Sequence, residues 1–358
     1  MPGVAEAVTA DFATRLLGWF DRHGRHDLPW QHPRTPYRVW VSEIMLQQTQ
    51  VATVIPYFER FLARFPSLED LAAADVDEVL SLWTGLGYYA RARNLHRAAM
   101  AMAEEGVPET VEGWNALPGV GPSTAAAIVA QAFDRRAVIL DGNVKRVLAR
   151  HAAVDTPQES AATAHRLWAL ADQRTPRGRA ADYTQAIMDL GATVCRRGTP
   201  RCDICPVRED CRARIEGRAA ELPVRQRRKQ RPVRERVLLW LEDSDGRLFL
   251  EKRPPSGIWG GLACLPVNDD AGSVDDRLAE LGLQRDGAWQ ALGRLRHVFS
   301  HFELSAEVLA TSVAPVSVAD RPGEWLVVDQ LVSDPPVGLP APIQRVIREQ
   351  HRARLDRP

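Results

Sequence analysis

Four of the five cysteines crowd between residues 195 and 211, as Cys195-x6-Cys202-x2-Cys205-x5-Cys211. Such a set in a reduced compartment holds a metal rather than disulfides, and thiolate softness alone leaves zinc and an iron–sulfur cluster both open. Two acids stand out by their neighbours. Glu43, in Val41-Ser42-Glu43-Ile44-Met45-Leu46-Gln47-Gln48-Thr49-Gln50, lies beside the apolar row Trp40–Ile44. In a site closed to water its carboxyl rises toward the range that a general acid needs at neutral pH; in an open one it is an ordinary solvated glutamate. Asp141, in Leu140-Asp141-Gly142-Asn143-Val144-Lys145-Arg146, stands just before a helical pattern, where an aspartate is ordinarily an N-cap worth about 1 kcal/mol. Leu117-Pro118-Gly119-Val120-Gly121 is a glycine-rich turn that opens a helix. Its backbone N–H groups could hold a phosphate without any basic side chain, or the turn could simply join two helices.

Helices must position these groups. From Thr35 to Phe61 the apolar residues Tyr37, Trp40, Val41, Ile44, Met45, Val51, Ile55 and Phe58 recur at helical spacing behind a Thr35-Pro36 start, which predicts one long amphipathic helix. Further helical patterns cover 68–82, 90–105, 112–117, 123–133, 144–151, 161–171 and 182–194. With almost no alternating pattern among them, the first 215 or so residues read as all-helical. Residues 225–236, RQRRKQRPVRER, carry seven Arg or Lys and one Glu. Beyond them VLLWLEDSDGRLFLEKR predicts two strands joined at Asp245-Gly246. Segments 294–309 and 324–328 also read as strands, and 343–351 as a helix. The expected division is a helical region over 1–216, a basic linker over 217–235 and a smaller α+β domain over 236–358.

The composition fits this. A chain of 358 residues exceeds what one core usually serves, and 45% hydrophobic with 26% charged residues is ordinary for a globular protein. The net charge is zero, so any case for nucleic acid must be local. No apolar stretch reaches membrane-span length and the N-terminus has no secretion leader, which predicts a cytoplasmic protein without membrane association.

LPGVG followed by a Ser-Thr-Ala-rich helix resembles the hairpin of the helix-hairpin-helix base-excision-repair glycosylases, with Asp141 following at their catalytic aspartate. SEIMLQQTQV resembles the signature of the MutY family among them, and the cysteine spacing is similar to the cluster loop of the endonuclease III and MutY families. The resemblance runs over about residues 12 to 310. It implies an all-α helix-hairpin-helix region, made of a six-helix barrel module and an iron–sulfur module, followed by a Nudix-like domain. It also implies a [4Fe–4S] cluster on Cys195, Cys202, Cys205 and Cys211, with Arg196, Arg197, Arg201 and Arg212 offering charge to phosphate.

By the same resemblance Glu43 protonates a departing adenine while Asp141 stays ionised to stabilise an oxocarbenium-like sugar or bond to it, with Ser123, Asn143 and Lys145 in support. Arg25, Leu28, Trp30 and Gln185 line the adenine pocket. Gln47, Thr49, Leu117, Gly119, Val120 and Gly121 contact DNA, and Gln48, Leu86 and Tyr88 form the wedge that fills the gap left by a flipped nucleotide. Phe299, Ser300 and His301 read the lesion. The implied partner is duplex DNA with adenine opposite 8-oxoguanine or guanine, met by a monomer associated with the nucleoid.

Lyase members of the superfamily carry a lysine where this chain has Ser123, which cannot form a Schiff base; Lys145 is the only nearby amine. A monofunctional glycosylase is therefore expected over an endonuclease III-type lyase or a non-catalytic iron–sulfur protein. In the Nudix-like domain, 275–282 lacks the paired glutamates that the hydrolases use for metal, which implies a sensor. Cys264, outside the cluster set, reads as a small buried hydrophobe.

Overall fold

The computed structural model describes residues 2–224, 226, 230–254, 257–268, 274–299, 301–316, 323–333 and 335–356, with the side chains of 2–10 left aside. Ser300 lies outside the described residues. The helices of the first part are α1 (Pro2–His23), α2 (Pro36–Leu46), α3 (Val51–Arg64), α4 (Leu68–Ala73), α5 (Val76–Leu82), α6 (Ala90–Glu105), α7 (Val111–Ala116), α8 (Pro122–Phe133), α9 (Gly142–His151), α10 (Ala161–Arg174), α11 (Ala180–Asp189) and α12 (Arg212–Ile215). A π-turn, Leu190–Val194, continues α11. The chain folds as two compact units, one of Met1–Ala73 with Asn94–Arg228 and one of Ala74–Arg93 with Lys229–Pro358.

The first unit is built around α8. Its alanine-rich sequence lets α2, α7 and α11 approach closely, and Ala125 through Gln131 are all buried. Phe12, Phe20, Trp30, Trp40, Phe58 and Trp114 fill the spaces around this packing. Caps fix the helix starts: Thr35 accepts the Arg38 N–H at 3.3 Å, and Ser160 accepts that of Thr163 at 3.2 Å.

The single helix expected over 35–61 is two. Gln47 ends α2, and Gln48 takes φ +61°, a left-handed value that no helix interior accommodates. The apolar spacing runs through this break because both helices face the same core. Likewise 68–82 divides at Asp75, whose carboxylate caps α5 by accepting the Asp77 N–H at 2.7 Å. The pattern over 182–194 is α11 followed by the π-turn. Helix α1 is absent from the expected set, although Phe12, Leu16, Trp19 and Phe20 bury one face of it.

The second unit carries β1 (Val233–Glu242), β2 (Arg247–Lys252), β3 (Ala263–Cys264), β4 (Val267–Asn268), α13 (Val274–Glu280), β5 (Leu283–Arg285), β6 (Gln290–Val298), β7 (Glu303–Pro315), β8 (Gly323–Val327), α14 (Val328–Ser333) and α15 (Ala341–Leu355). Among the described residues these strands form one mixed sheet of order β3-β2-β1-β7-β5, with β4 on β1, β6 on β7 and β8 on β2. Among the described strands only β1 and β7 run parallel, from Val233 opposite Glu303 to Glu242 opposite Ser312. The hairpin expected at Asp245-Gly246 joins β1 and β2, with Gly246 at φ +74°. The strand expected over 294–309 folds back on itself as β6 and β7, with Val298 opposite Glu303. Val237, Leu239, Leu241, Phe249, Leu278 and Val313 form the core between the sheet and α13. Cys264 is fully buried, as a small hydrophobe should be. No helix of the described residues is long and apolar enough to cross a membrane.

Candidate active site

Glu43 sits on α2 between the buried residues Ser42 and Ile44 and is itself half-buried. Its Oε1 accepts a 2.8 Å hydrogen bond from Nε2 of Gln131, a buried residue on α8. Burial pushes the Glu43 carboxyl up to about 7, the Gln131 bond opposes this, and the charge of Asp141 adds to it. The two acids, far apart in sequence, therefore feel each other in space.

Asp141 is the N-cap of α9, and its Oδ1 accepts the Val144 N–H at 2.7 Å. Its Oδ2 accepts from Asn143 Nδ2 at 3.3 Å. Burial raises this carboxyl too; the N–H groups of Val144 and Asn143, the Arg146 charge and the Asn143 amide act in the opposite direction. Cap and functional acid are thus compatible roles, since the cap bonds hold the carboxylate still. Ser123 Oγ accepts the Leu140 N–H at 3.0 Å and fastens the segment that delivers Asp141. Lys145 is half-buried one residue beyond Val144 on the same helix.

Arg146 was not expected in the site, yet it organises it. Its Nη2 donates to Asn143 Oδ1 at 2.9 Å and to the Gly191 carbonyl at 2.6 Å, and its Nε donates to the Cys195 carbonyl at 2.7 Å. Gly191, in the π-turn, packs directly on Asn143: a Cβ there would meet Asn143 Cβ at 2.6 Å and its backbone at 3.1 Å. We expect Gly191→Ala to push α9 outward, at a cost of roughly 1–3 kcal/mol in thermal or urea unfolding, with a fall in turnover measured at saturating substrate. Unchanged stability and rate would show that the packing is looser than this geometry.

All four clustered cysteines line one cavity, walled by Val147, Leu190, Val194 and Val207. Arg150 donates to Cys195 Sγ at 3.3 Å and to the Arg196 carbonyl at 2.8 Å. Among the described residues no group of three or more metal-ligating side chains converges tightly enough to hold a single ion.

Of the expected adenine-pocket residues, Arg25 and Gln185 meet on Asp189. Arg25 Nη2 donates to Asp189 Oδ1 at 2.6 Å, and its backbone N–H to Oδ2 at 2.8 Å; Gln185 Nε2 donates to Oδ1 at 2.7 Å. Asp189 is 1% exposed, and its place four residues after Gln185 on a helix is the signal that could have found it. Leu28 and Trp30 are buried, Trp30 edge-on to Phe58. Gln31, also unexpected, accepts the Leu28 N–H at 3.2 Å.

The hairpin turn projects Gly119 and Gly121 to the surface, with Val120 buried beneath and Leu117 half-buried. Gly119 has φ +78° and lies so close to Asn94 that a Cβ would meet that side chain at 2.7 Å. Gln47 reaches the turn, its Nε2 lying 3.4 Å from the Gly119 carbonyl and from Thr124 Oγ1. Thr49 Oγ1 donates to the Gln47 carbonyl at 3.5 Å, and Gln48 is exposed.

In the second unit Tyr88 is 51% exposed at φ +50°, held out by a turn whose Gly87 carbonyl accepts from Trp83 Nε1 at 3.2 Å and Arg91 Nη2 at 3.1 Å. Leu86, expected beside it in the wedge, is instead 6% exposed, an apolar side chain turned inward from the strained turn. Phe299 stacks on Phe302 at 4.6 Å, and His301 is exposed.

Residues 41–188 match the HhH-GPD superfamily base excision DNA repair proteins, and residues 237–349 match the NUDIX domain. The chain is 32% identical over 346 residues to an adenine DNA glycosylase of Buchnera aphidicola subsp. Baizongia pistaciae, covering 95% of this chain and 96% of that one. It is 38% identical over 384 aligned residues to the adenine DNA glycosylase of Mus musculus, covering 89% of this chain and 74% of that one. A solved thermostable thymine-DNA glycosylase superposes with a TM-score of 0.53 at 27% identity, over 60% of this chain and 98% of that one. Since the Buchnera relative aligns over nearly its whole length and both halves of the chain match, this chain belongs to the adenine DNA glycosylases and is a DNA N-glycosylase.

Proposed function

We propose that the substrate is duplex DNA carrying adenine opposite 8-oxoguanine, or opposite guanine, and that Glu43 and Asp141 perform its hydrolysis. The observation that carries this is the coupled pair of carboxyls, one from α2 and one capping α9. An N-glycosidic bond breaks when the base takes a proton as it leaves and an anion faces the electron-poor sugar. Burial raises both carboxyls, and the Asp141 charge raises Glu43 further. The donors gathered on Asp141 keep the negative charge there, and Glu43 keeps the proton that the base receives.

The remaining residues support this reading. Exposed turn N–H groups at Gly119 and Gly121 suit a backbone phosphate, with Leu117, Val120, Gln47 and Thr49 shaping the turn. Gln48, Leu86 and Tyr88 are the groups assigned to fill the vacated stack, Gln48 and Tyr88 from exposed positions and Leu86 from a buried one. Arg25, Gln185, Leu28 and Trp30 form the walls behind the adenine. The second unit reads the opposite base through Phe299 and His301. Residues 1–216 are then the catalytic region, 217–235 the linker and 236–358 the reader, all within a monomer at the nucleoid.

With Ser123 where a Schiff-base lysine would stand, hydrolysis proceeds without strand cleavage. The test is a labelled A:8-oxoguanine duplex. It should break only after alkaline work-up, with little borohydride-trapped adduct; high-yield trapping would favour a lyase, and an intact strand would favour a non-catalytic DNA-binding protein.

The cysteine set suits a [4Fe–4S] cluster, because all four cysteines line one cavity and their spacing resembles the cluster loop of the endonuclease III and MutY families. Burial pushes the Cys205 thiol up to about 12, against the Val207 N–H, so a cation beside it is what would let it ionise. Cys195, Cys202, Cys205 and Cys211 would hold the cluster, which when bound supplies crosslinks among the turns of 195–211. We expect about four irons and four sulfides per chain, and Cys202→Ser should lose them together with several degrees of Tm. One zinc and no sulfide would overturn this assignment.

A further inference from the structure

The turn that presents Tyr88 is bound on both flanks by segments of the second unit's C-terminal part. On one flank, Tyr89 Oη donates to the Leu339 carbonyl at 2.5 Å while accepting the Gly85 N–H at 3.3 Å, and Leu339 N–H donates to Thr84 Oγ1 at 3.4 Å. Ser81 adds a 2.9 Å bond to the Pro335 carbonyl. On the other flank, Arg93 Nη1 donates to the Gly260 carbonyl. The next residue back, Trp259, is held at φ +53° and buried against the lesion-side loop, with its ring 6.0 Å from Phe299 and 6.2 Å from His297. His297 in turn meets Phe299 edge-on at 4.5 Å. Packed side chains and backbone therefore run without a gap from His297 and Phe299 through Trp259 and Gly260 to Arg93, five residues past Tyr88.

We propose that Arg93, seconded by Tyr89, is a positioning residue that ties the turn carrying Tyr88 to the loop carrying Phe299 and His301, so that contact with the opposite base governs how firmly the wedge is set. This rests on the reading of 299–301 as the lesion reader and of Tyr88 as the wedge. A residue that only stabilised the fold would slow every substrate alike. A coupling residue instead sets the preference between substrates, because only the lesion engages the far end of the packed chain.

Single-turnover rates on A:8-oxoguanine and A:G duplexes are to be measured for the full chain and for Arg93→Met, Tyr89→Phe, His301→Ala and the Arg93→Met/His301→Ala double variant. Arg93→Met keeps length and apolar packing but loses the bond to Gly260. It should cut the preference for 8-oxoguanine about tenfold, the ordinary scale of coupling between two sites, and leave the A:G rate nearly unchanged. Tyr89→Phe, which removes only a hydroxyl, should shift the preference the same way and carries the test if Arg93→Met folds poorly. In the double variant the loss should not exceed that of the larger single one. Equal slowing on both duplexes, or losses that multiply in the double variant, would overturn the coupling. A preference intact in Arg93→Met and Tyr89→Phe but lost in His301→Ala removes the coupling alone; one intact in His301→Ala removes the lesion-side reading and the coupling with it.

Discussion

Glu43→Gln is expected to bind mispaired duplex with unchanged affinity and to release adenine about 10² to 10⁴ times more slowly, the range over which a positioned general acid contributes. Glutamine keeps the shape and can still meet Gln131, but it has no proton to give. The pH dependence follows with a definite sign. Burial holds the carboxyl near 7, against an ordinary value of 4.5, so the acid form is present below about pH 7 and is lost above it. The single-turnover rate should therefore fall on the alkaline side with a midpoint near 7.

Stability should move with the same proton. A carboxyl raised by folding gives its full contribution below its unfolded value, and this is lost as pH rises to the folded one, roughly 3 kcal/mol at most between pH 4.5 and 7. Urea unfolding at several pH values should show this slope in the native chain and a flatter one in Glu43→Gln. A variant with native turnover, or a rate that rises through pH 7, would remove Glu43 from the role of acid.

Asp141→Asn separates the two functions that meet in one side chain. Asparagine is as good an N-cap as aspartate, and its amide oxygen can still accept the Val144 N–H, so α9 should start where it does now. The negative charge proposed to face the sugar is gone. Loss of such a preorganised charge should slow adenine release by about 10² to 10³ at least, with unfolding free energy held or improved because a buried carboxylate no longer has to be kept. The unfolding slope owed to Glu43 should also move to lower pH, since the Asp141 charge is one of the influences that raise it. If the variant lost activity only in step with lost stability, the aspartate would be a cap and nothing more.

These expectations depend on residues that carry no sequence signal of their own. Gln131 reads as one polar residue in an alanine-rich helix, and Arg146 as one of two arginines on α9, until the fold brings the first onto Glu43 and the second between Asn143 and the Cys195 carbonyl. Gly191 is the same kind of case, its need for a missing Cβ visible only once the π-turn lies against Asn143. Raised carboxyls at Glu43 and Asp141 likewise require burial, a property of packing that no local string of residues contains.

Local chemistry, by contrast, was legible from the chain alone. The cysteine spacing, the glycine turn before Pro122, the acid before α9, the switch from helical to alternating apolar pattern near residue 236 and the hairpin at Asp245-Gly246 are short-range features, because backbone geometry and ligand reach act over a few residues. Over longer spans spacing alone misleads: one helix expected over 35–61 is two, broken at the left-handed Gln48. Apolar periodicity records which face meets the core but not where the backbone breaks. Only tertiary packing decided that Ala74–Arg93 joins the C-terminal unit, since that choice is made by partners more than 150 residues away, Gly260 and Leu339 among them.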